Sequence, residues 1–237
     1  MIKPFYYRLL FAGLFLLATL PAFSQQQRPL KTLDKMDLVL AGTYPAGANG
    51  SLKTLDKMDL VLANRHRLPT MDNSVRLDEQ PGPGIAWLKG ITFSNGTISF
   101  DVKGKDVMQQ SFVGIAFHGL NDSTYDAVYF RPFNFRSAEQ ARKNHSVQYI
   151  SNPVNDWFVL REKFPNKYEQ PVNPIPDPNN WFHVRIVVQS PSVKVYVNNS
   201  AAPCLEVQQL STRGTGMLGL WVGNGSGGDW RNLKIEE

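Results

Sequence analysis

Short stretches in which apolar and polar residues alternate fill the chain from Ser74 to its end. In Phe182–Gln189, the residues at 182, 184, 186 and 188 are all apolar. The turn Ser190-Pro191-Ser192 follows, and Val193–Asn198 then alternates in the same way. Alternation with a period of two places successive side chains on opposite faces of a strand. Many such segments at spacings of roughly 8–12 residues predict an all-β sandwich or barrel.

The stretch Ser111–Phe135 reads as two strands, Phe112–Leu120 and Tyr125–Phe135, joined by the turn residues Asn121-Asp122-Ser123. Alternation divides each strand into two faces. One face of the first strand carries small residues and ends in a histidine: Phe112, Gly114, Ala116 and His118. One face of the second strand carries Tyr125, Ala127, Tyr129, Arg131, Phe133 and Phe135. Small residues beside polar and aromatic ones indicate a sheet face that leaves room for a ligand.

The N-terminus has the pattern of a secretory signal peptide. Lys3 and Arg8 flank the start of an apolar run from Leu9 to Leu20, and Ala22-Phe23-Ser24 is a small-residue cleavage site. The run is shorter than the roughly 20 residues that a membrane-spanning helix needs. We therefore expect residues 1–24 to be removed after Ser24, giving a secreted or periplasmic protein without a membrane anchor.

Twelve residues, LKTLDKMDLVLA, occur twice without a change, at Leu30–Ala41 and Leu52–Ala63. Two perfect copies indicate a local tandem duplication rather than a solenoid, which needs at least three repeats. The part MDLVLA alternates like a strand, and a single sandwich has one slot for it. We predict that the second copy takes that slot, with a loosely packed segment at residues 25–51 and the folded domain at residues 52–237.

The region between the two clear β-rich parts is less regular. Ser137 is a candidate helix cap before AEQARK, and His145–Ser151 reads as a strand. The Pro-rich stretch Asn152–Asn180 follows, with a short helix expected at Asp156–Lys163. Long loops of this kind are usually functional or disordered.

The strands near the C-terminus resemble a known superfamily. NNWFHVRIVVQSPSVKVYVNN, then GMLGLWVGNGSGGDWRNLKI, is similar to the closing strands of concanavalin A-like lectin/glucanase domains, including laminin G-like modules. FSNGTISFDVKG resembles one of their early strands, so residues 74–237 fit the pattern. The resemblance implies a two-sheet antiparallel jelly roll with one concave face. Fold alone does not assign a function.

The glucanases of this superfamily carry paired catalytic carboxylates in an E-x-D-x-x-E pattern, which this sequence lacks. Glucanase activity is therefore not implied. A sugar-processing enzyme with a different arrangement stays an alternative, and His118 and Asp126 would then be its catalytic residues.

Sugar binding suits the central strands better, because aromatic rings stack on sugar faces while polar groups bond hydroxyls. The candidate ligand-binding residues are His118, Tyr129, Arg131, Phe133, Gln148, Tyr149 and Trp157. The alternative is that the aromatic residues belong to the core and that His118 is structural.

Three further features of the sequence concern metal ligands, the cysteine and the net charge. The four histidines show no zinc spacing, and Asp229 alone resembles the position of a structural calcium ligand, so no cofactor is predicted beyond that ion. Cys204, the only cysteine, is expected to be a buried structural thiol. The net charge of +5 comes from interspersed acids and bases, which predicts no nucleic-acid partner.

The sequence thus predicts a carbohydrate-binding, lectin-like domain. A glycoside hydrolase or related sugar-processing enzyme is the first alternative, and a laminin G-like protein-interaction module is the second. The oligomeric state is not predicted.

Overall fold

The computed structural model describes residues 54–237. The predicted signal peptide and the first copy of the twelve-residue repeat lie outside the described residues. Two α-helices and two short 3-10 turns are found in the described residues: α1 (Gln140–Lys143), α2 (Trp157–Lys163), Leu55–Lys57 and Pro132–Asn134. The strands are β1 (Leu60–Ala63), β2 (Arg67–Leu68), β3 (Val75–Leu77), β4 (Gly84–Phe93), β5 (Gly96–Lys103), β6 (Val113–Asn121), β7 (Thr124–Phe130), β8 (Val147–Asn152), β9 (Glu169–Gln170), β10 (Phe182–Gln189), β11 (Ser192–Val197), β12 (Leu205–Gln208), β13 (Gly216–Val222) and β14 (Gly228–Glu236). No helix in this part of the chain is long and apolar enough to cross a membrane.

The strands form two seven-stranded sheets, and neighbouring strands in both are antiparallel. The first sheet has the order β1-β4-β13-β6-β7-β8-β9, and the second has the order β12-β11-β10-β5-β14-β3-β2. The rings of Phe130 in the first sheet and Phe182 in the second meet edge to face, with centroids 5.2 Å apart. The predicted two-sheet antiparallel sandwich is confirmed.

The two sheets differ in how much of each face is covered. In β5 and β10, buried residues alternate with partly exposed ones, as expected for strands with one face on a core. In β7, every residue after Thr124 is buried, so both faces of this strand are covered. The side of the first sheet that points away from the second sheet is called the outer face below.

The second copy of the repeat contributes β1, as predicted. Leu60–Ala63 pairs with β4, and Leu55 is 2% exposed in the core. The predicted pairing of the central strands is also found, with Ala116 opposite Ala127. β7 ends before Pro132, because proline has no N–H for the ladder and here starts a 3-10 turn.

The turn at Asn95-Gly96 carries the chain between the two sheets, because β4 belongs to the first sheet and β5 to the second. Gly96 has a φ of +139°, and a Cβ there would collide with the carbonyl oxygen of Glu236, which explains the glycine. Ser137 does not cap α1, which starts at Gln140; its hydroxyl accepts the N–H of Glu139.

Cys204 is partly buried beside the core, and burial raises the pKa of its thiol to about 12. Very little thiolate is therefore present at neutral pH, which fits the expected structural role.

A fully buried carboxylate, Asp126, faces the second sheet from β7. It accepts hydrogen bonds from the hydroxyls of Tyr149 (3.1 Å) and Ser211 (2.6 Å) and from the Gln209 amide (3.0 Å). Arg213 Nη2 donates to it at 2.8 Å. Since residues 209–213 connect β12 to β13, these bonds fasten the crossover between the two sheets to the middle of the first.

We predict that Asp126→Asn destabilises the fold by about 3 kcal/mol at pH 7, because the Arg213 charge loses its partner. Burial alone would raise the pKa of the Asp126 carboxyl, but its hydrogen bonds and Arg213 hold that pKa below its usual value. A lowered pKa in the folded state stabilises the protein above the unfolded value of about 4, and this stability is lost as pH falls through the folded value.

Chemical denaturation at a series of pH values tests this. The free energy of unfolding should fall less steeply below about pH 4 in the variant than in the wild type. Asp106→Asn, at an exposed position, is the control and should change stability by at most about 0.5 kcal/mol. Equal acid slopes for Asp126→Asn and wild type would contradict the prediction.

Candidate functional site

Large aromatic rings cover the outer face of the first sheet around β4, β7 and β13. The hydroxyl of Tyr125 accepts hydrogen bonds from Trp221 Nε1 (3.0 Å) and from the Asn152 amide (2.9 Å). Trp87 meets Tyr125 edge to face and lies over Gly219, where a Cβ would be 2.8 Å from the ring. Gly114, one of the small residues noted in the sequence, stands between Trp221 and Tyr129 in the ladders, and their ring centroids are 4.7 Å apart, so it makes room for rings that belong to the protein itself.

Beside these rings lies a polar cluster on the same face. Tyr129 stands opposite Gln148 in the β7–β8 ladder, and Gln148 stands opposite Glu169 in the β8–β9 ladder. Residues that face each other across adjacent strands project to the same side of a sheet. The register thus brings these three side chains together, and Arg131, which directly follows β7 and lies two positions after Tyr129, joins them.

Hydrogen bonds tie the cluster together. The hydroxyl of Tyr129 donates to Gln148 Oε1 at 2.8 Å, and Arg131 Nη2 donates to Tyr129 Oη at 2.7 Å and to Gln148 Oε1. Arg131 Nη1 donates to the carbonyl oxygen of His145 at 2.9 Å. Arg131 is 5% exposed, so its charge is almost entirely removed from solvent.

Glu169 is the carboxylate of the cluster, and it is 2% exposed. Arg161 on α2 binds it through two nitrogens, with Nε 2.9 Å from Oε1 and Nη2 2.8 Å from Oε2. Arg131 Nη1 is 3.8 Å from Oε2, and His145 Nδ1 is 2.8 Å from the same oxygen. Two arginines and a histidine therefore share one carboxylate.

The cluster reaches solvent through side chains at its rim. A quarter of the His145 side chain and a third of the Arg161 side chain are exposed. Trp157 is 46% exposed, and the Arg161 guanidinium lies 5.2 Å from the centre of its ring. The first turn of α2 is held by its cap, in which Asp156 Oδ1 accepts the N–H of Val159 at 2.8 Å.

The imidazole of His145 is neutral at physiological pH, although charged groups surround it. Burial lowers the pKa of His145 below its ordinary value; Glu169 raises it, whereas Arg161 and Arg131 lower it further. Burial raises the pKa of the Tyr129 phenol, which is therefore a hydrogen-bond donor at neutral pH. The hydrogen bond to Glu169 raises the pKa of Arg161, which is charged throughout the physiological range.

The structure separates the predicted site residues into two groups. Tyr129, Arg131 and Gln148 lie together on the outer face, and Trp157 stands at the rim. Phe133 is close to them through Phe112, whose ring is 5.4 Å from that of Phe133 and 6.2 Å from that of Tyr129.

His118, Asp126 and Tyr149 lie on the other face, between the sheets. His118 has a φ of +50° in the irregular part of β6, which turns its ring to the inner side. There its Nε2 bonds the carbonyl oxygen of Ser94 at 2.6 Å, and its Nδ1 is 2.9 Å from the Gln209 amide. Both ring nitrogens are thus used inside the core, away from the outer face.

Three residues of the cluster, His145, Arg161 and Glu169, are absent from the set chosen by sequence reasoning. His145 was placed in a strand, and the other two lie in the long Pro-rich stretch. The length of that stretch is the sequence feature that points to Arg161 and Glu169, because long loops in compact domains are often functional.

Asp229, the candidate calcium ligand, is bound to cations of the protein. Arg76 Nε is 2.6 Å from its Oδ1, and Lys103 Nζ is 3.7 Å from its Oδ2. Within residues 54–237, no three His, Cys, Asp or Glu side chains converge as metal ligands would.

The strands of the first sheet carry two carboxylates within the described residues: Asp126 on the inner face and Glu169 on the outer face. A paired-carboxylate site on one face, of the kind that glucanases use, is therefore not built from these strands.

Comparisons with known proteins agree with the fold. A carbohydrate-binding module, CBM66, from Bacillus subtilis superimposes with a TM-score of 0.55 at 15% identity, covering 76% of this chain and 98% of that one. A Bacillus subtilis protein of unknown function with a galectin-like fold gives a TM-score of 0.50 at 15% identity, covering 75% and 89%. Both likenesses concern the fold, and the predicted concanavalin A-like jelly roll is confirmed. None of the curated proteins matches the sequence.

A family match completes the comparison. The model of the 3-keto-alpha-glucoside-1,2-lyase-like domain matches residues 54–236, which is nearly all of the described sandwich and contains the whole polar cluster. The chain belongs to the family of 3-keto-alpha-glucoside-1,2-lyase-like domains.

Proposed function

We propose that this chain binds a glucoside whose C3 hydroxyl has been oxidised to a ketone, and that it breaks the bond at C1 by elimination across C1 and C2. The description of the family, a 3-keto-alpha-glucoside-1,2-lyase-like domain, supports this reaction. The observation in this chain that carries it is the outer-face cluster, where Arg131 and Arg161 share Glu169 beside the partly exposed His145.

Elimination suits the cluster better than hydrolysis does. Hydrolysis of an ordinary glycoside uses two carboxyl groups on either side of the bond, roughly 5 to 9.5 Å apart. The outer face offers Glu169 alone among the strand positions of the first sheet that the structure describes. A ketone at C3 makes the hydrogen on C2 acidic, because its removal gives an enolate. One base and a nearby positive charge are then sufficient.

The charges of the cluster provide the positive charge that an enolate requires. Arg131 and Arg161 carry two positive charges against the one negative charge of Glu169, and His145 is neutral at physiological pH. The excess positive charge would stabilise an enolate oxygen as it forms. In a site with little water, such preorganised charge is a large part of catalysis.

The rim offers a surface for a sugar ring. Trp157 and Phe158 are 46% and 52% exposed, and their rings meet edge to face with centroids 5.7 Å apart. Exposed aromatic rings on a fixed helix suit the C–H face of a sugar. Secretion after Ser24 would place the protein where extracytoplasmic glycosides occur, and it stays a prediction.

Carbohydrate binding without cleavage is the second candidate function, and the exposed pair Trp157 and Phe158 favours it. It requires sugar recognition only, with no part for the His145 imidazole.

The test of the first candidate compares 4-nitrophenyl 3-keto-α-glucoside with the unoxidised 4-nitrophenyl α-glucoside. We expect release of 4-nitrophenol and an unsaturated 3-keto sugar from the oxidised compound alone, followed by absorbance and mass spectrometry. Release from the unoxidised glucoside would support a hydrolase instead. Binding of either compound without product would support the second candidate, and binding of neither would favour a protein-interaction module.

We predict that Trp157→Ala weakens binding of these glucosides roughly five- to tenfold, because one aromatic stacking contact contributes about 1 kcal/mol. Isothermal titration calorimetry measures the dissociation constant. Trp181→Ala is a matched control, because Trp181 also lies under an arginine, with the Arg231 guanidinium 4.3 Å from its ring centre, but it directly precedes a strand of the second sheet. Equal affinities of both variants would contradict a role of Trp157 in binding.

A further inference from the structure

His145 occupies a position that sequence reasoning did not single out. It lies between α1 and β8, where its N–H donates to the carbonyl oxygen of Arg142 at 3.0 Å. Its own carbonyl oxygen accepts from Arg131 and from the Asn134 amide (3.2 Å). The backbone on both sides of the ring is therefore held, and the ring has a fixed place at the edge of the cluster.

The two sides of the imidazole differ in exposure. Nδ1 is buried and lies 2.8 Å from Glu169 Oε2, close enough for charge attraction but without the alignment of a hydrogen bond, whereas a quarter of the side chain is exposed. The solvent-facing part of the ring is thus the part away from Nδ1. A carboxylate beside Nδ1 favours the tautomer with the proton on Nδ1, which leaves the lone pair on Nε2.

Glu169 is itself immobilised. Both of its oxygens bind Arg161, and the side chain is 2% exposed. A carboxylate held in this way fixes the orientation of the imidazole and stabilises the imidazolium that forms when the ring accepts a proton. The titratable and charged groups that act on His145 are Glu169, Arg161 and Arg131. Together with burial they favour the neutral ring, which is the form a general base needs.

We propose that His145 is the base that removes the proton from C2 of the 3-keto glucoside, and that Glu169 is the residue that positions it, an assignment that rests on the function proposed above. In this step, Nε2 of His145 takes the C2 proton, and the electrons of the C2–H bond first form the enolate with the C3 ketone and then a double bond between C1 and C2. The C1–O bond breaks, and its electron pair leaves with the aglycone oxygen. That oxygen takes a proton from solvent, and His145 returns its proton to solvent, so the step needs no oxidant or reductant.

The first experiment measures kcat and KM of His145→Ala with 4-nitrophenyl 3-keto-α-glucoside. Loss of a general base should lower kcat about 100-fold or more while KM changes little. His183→Ala is the matched control, because His183 Nδ1 also lies 2.9 Å from a carboxylate, that of Asp101, and its side chain is 32% exposed, but it belongs to the second sheet. This control should retain wild-type kcat.

Free imidazole added to His145→Ala should restore part of the lost rate, which a purely structural loss would not allow. His145→Gln, which keeps a polar side chain of similar size, should be as inactive as the alanine variant. Thermal melting of both variants checks that they are folded.

The second experiment tests the positioning role through the pH dependence of kcat. Activity should fall as pH decreases through the pKa of His145, because the protonated ring cannot act as a base. Since Glu169 raises that pKa, Glu169→Gln should move the acidic limb of the profile to lower pH, in addition to lowering kcat. An unmoved acidic limb would overturn the positioning role.

The outcomes separate the two proposals. If the wild type shows no cleavage of the oxidised glucoside, the proposed function fails and the assignment of the base fails with it. If the wild type cleaves it and His145→Ala keeps more than about a tenth of kcat, only the assignment of the base is overturned. If His145→Ala loses activity and His183→Ala does not, with rescue by imidazole, the assignment is supported.

Discussion

A charge buried between two sheets must be paired, and this requirement organises the sandwich around Asp126. Its carboxylate is fully buried and accepts from four side chains, one of them the charged Arg213. Three of the four partners, Gln209, Ser211 and Arg213, lie on the β12–β13 connection, so the pairing fixes where the chain crosses from the second sheet to the first. β13 then enters the first sheet between β4 and β6 and carries Trp221 to the outer face. The arrangement of the candidate site thus depends on a bond network on the opposite side of the same sheet.

The two faces of β7 and β8 hold polar networks of different character. On the inner face, Arg213, two hydroxyls and an amide satisfy the carboxylate of Asp126, which is fully buried. On the outer face, positive charge exceeds negative charge around Glu169, and His145 and Arg161 reach solvent. Because side chains alternate along a strand, Gln148 and Tyr149, one position apart, belong to networks on opposite faces of the sheet. A buried network and a partly exposed one are therefore built on the same two strands without sharing a side chain.

Sequence reasoning predicted the sandwich well, because period-two alternation and turn residues report directly on strands. It also predicted that Tyr129 and Arg131 share a face of one strand, and the structure has both of them beside Gln148. It did not place His118, because an irregularity in β6 with a positive φ turns that residue to the inner side, and such irregularities leave no mark in a hydrophobic pattern. It also missed the His145–Glu169 pair, whose members are brought together by the β8–β9 ladder and by α2. Pairing between distant strands is a property of the fold, and Glu169 lies within the Pro-rich stretch, for which the sequence predicts little regular structure.

The duplicated segment that supplies the edge strand β1 allows a deletion that leaves the sandwich unchanged. β1 is drawn from the second of two identical twelve-residue copies. Excision of residues 30–51 and excision of residues 42–63 give the same sequence, in which one LKTLDKMDLVLA directly precedes Asn64. A single recombination event between the copies would therefore shorten the gene while every residue of β1 and of the strands that follow is retained. Loss of one copy would therefore shorten the segment before the sandwich and leave the sequence of the sandwich unchanged.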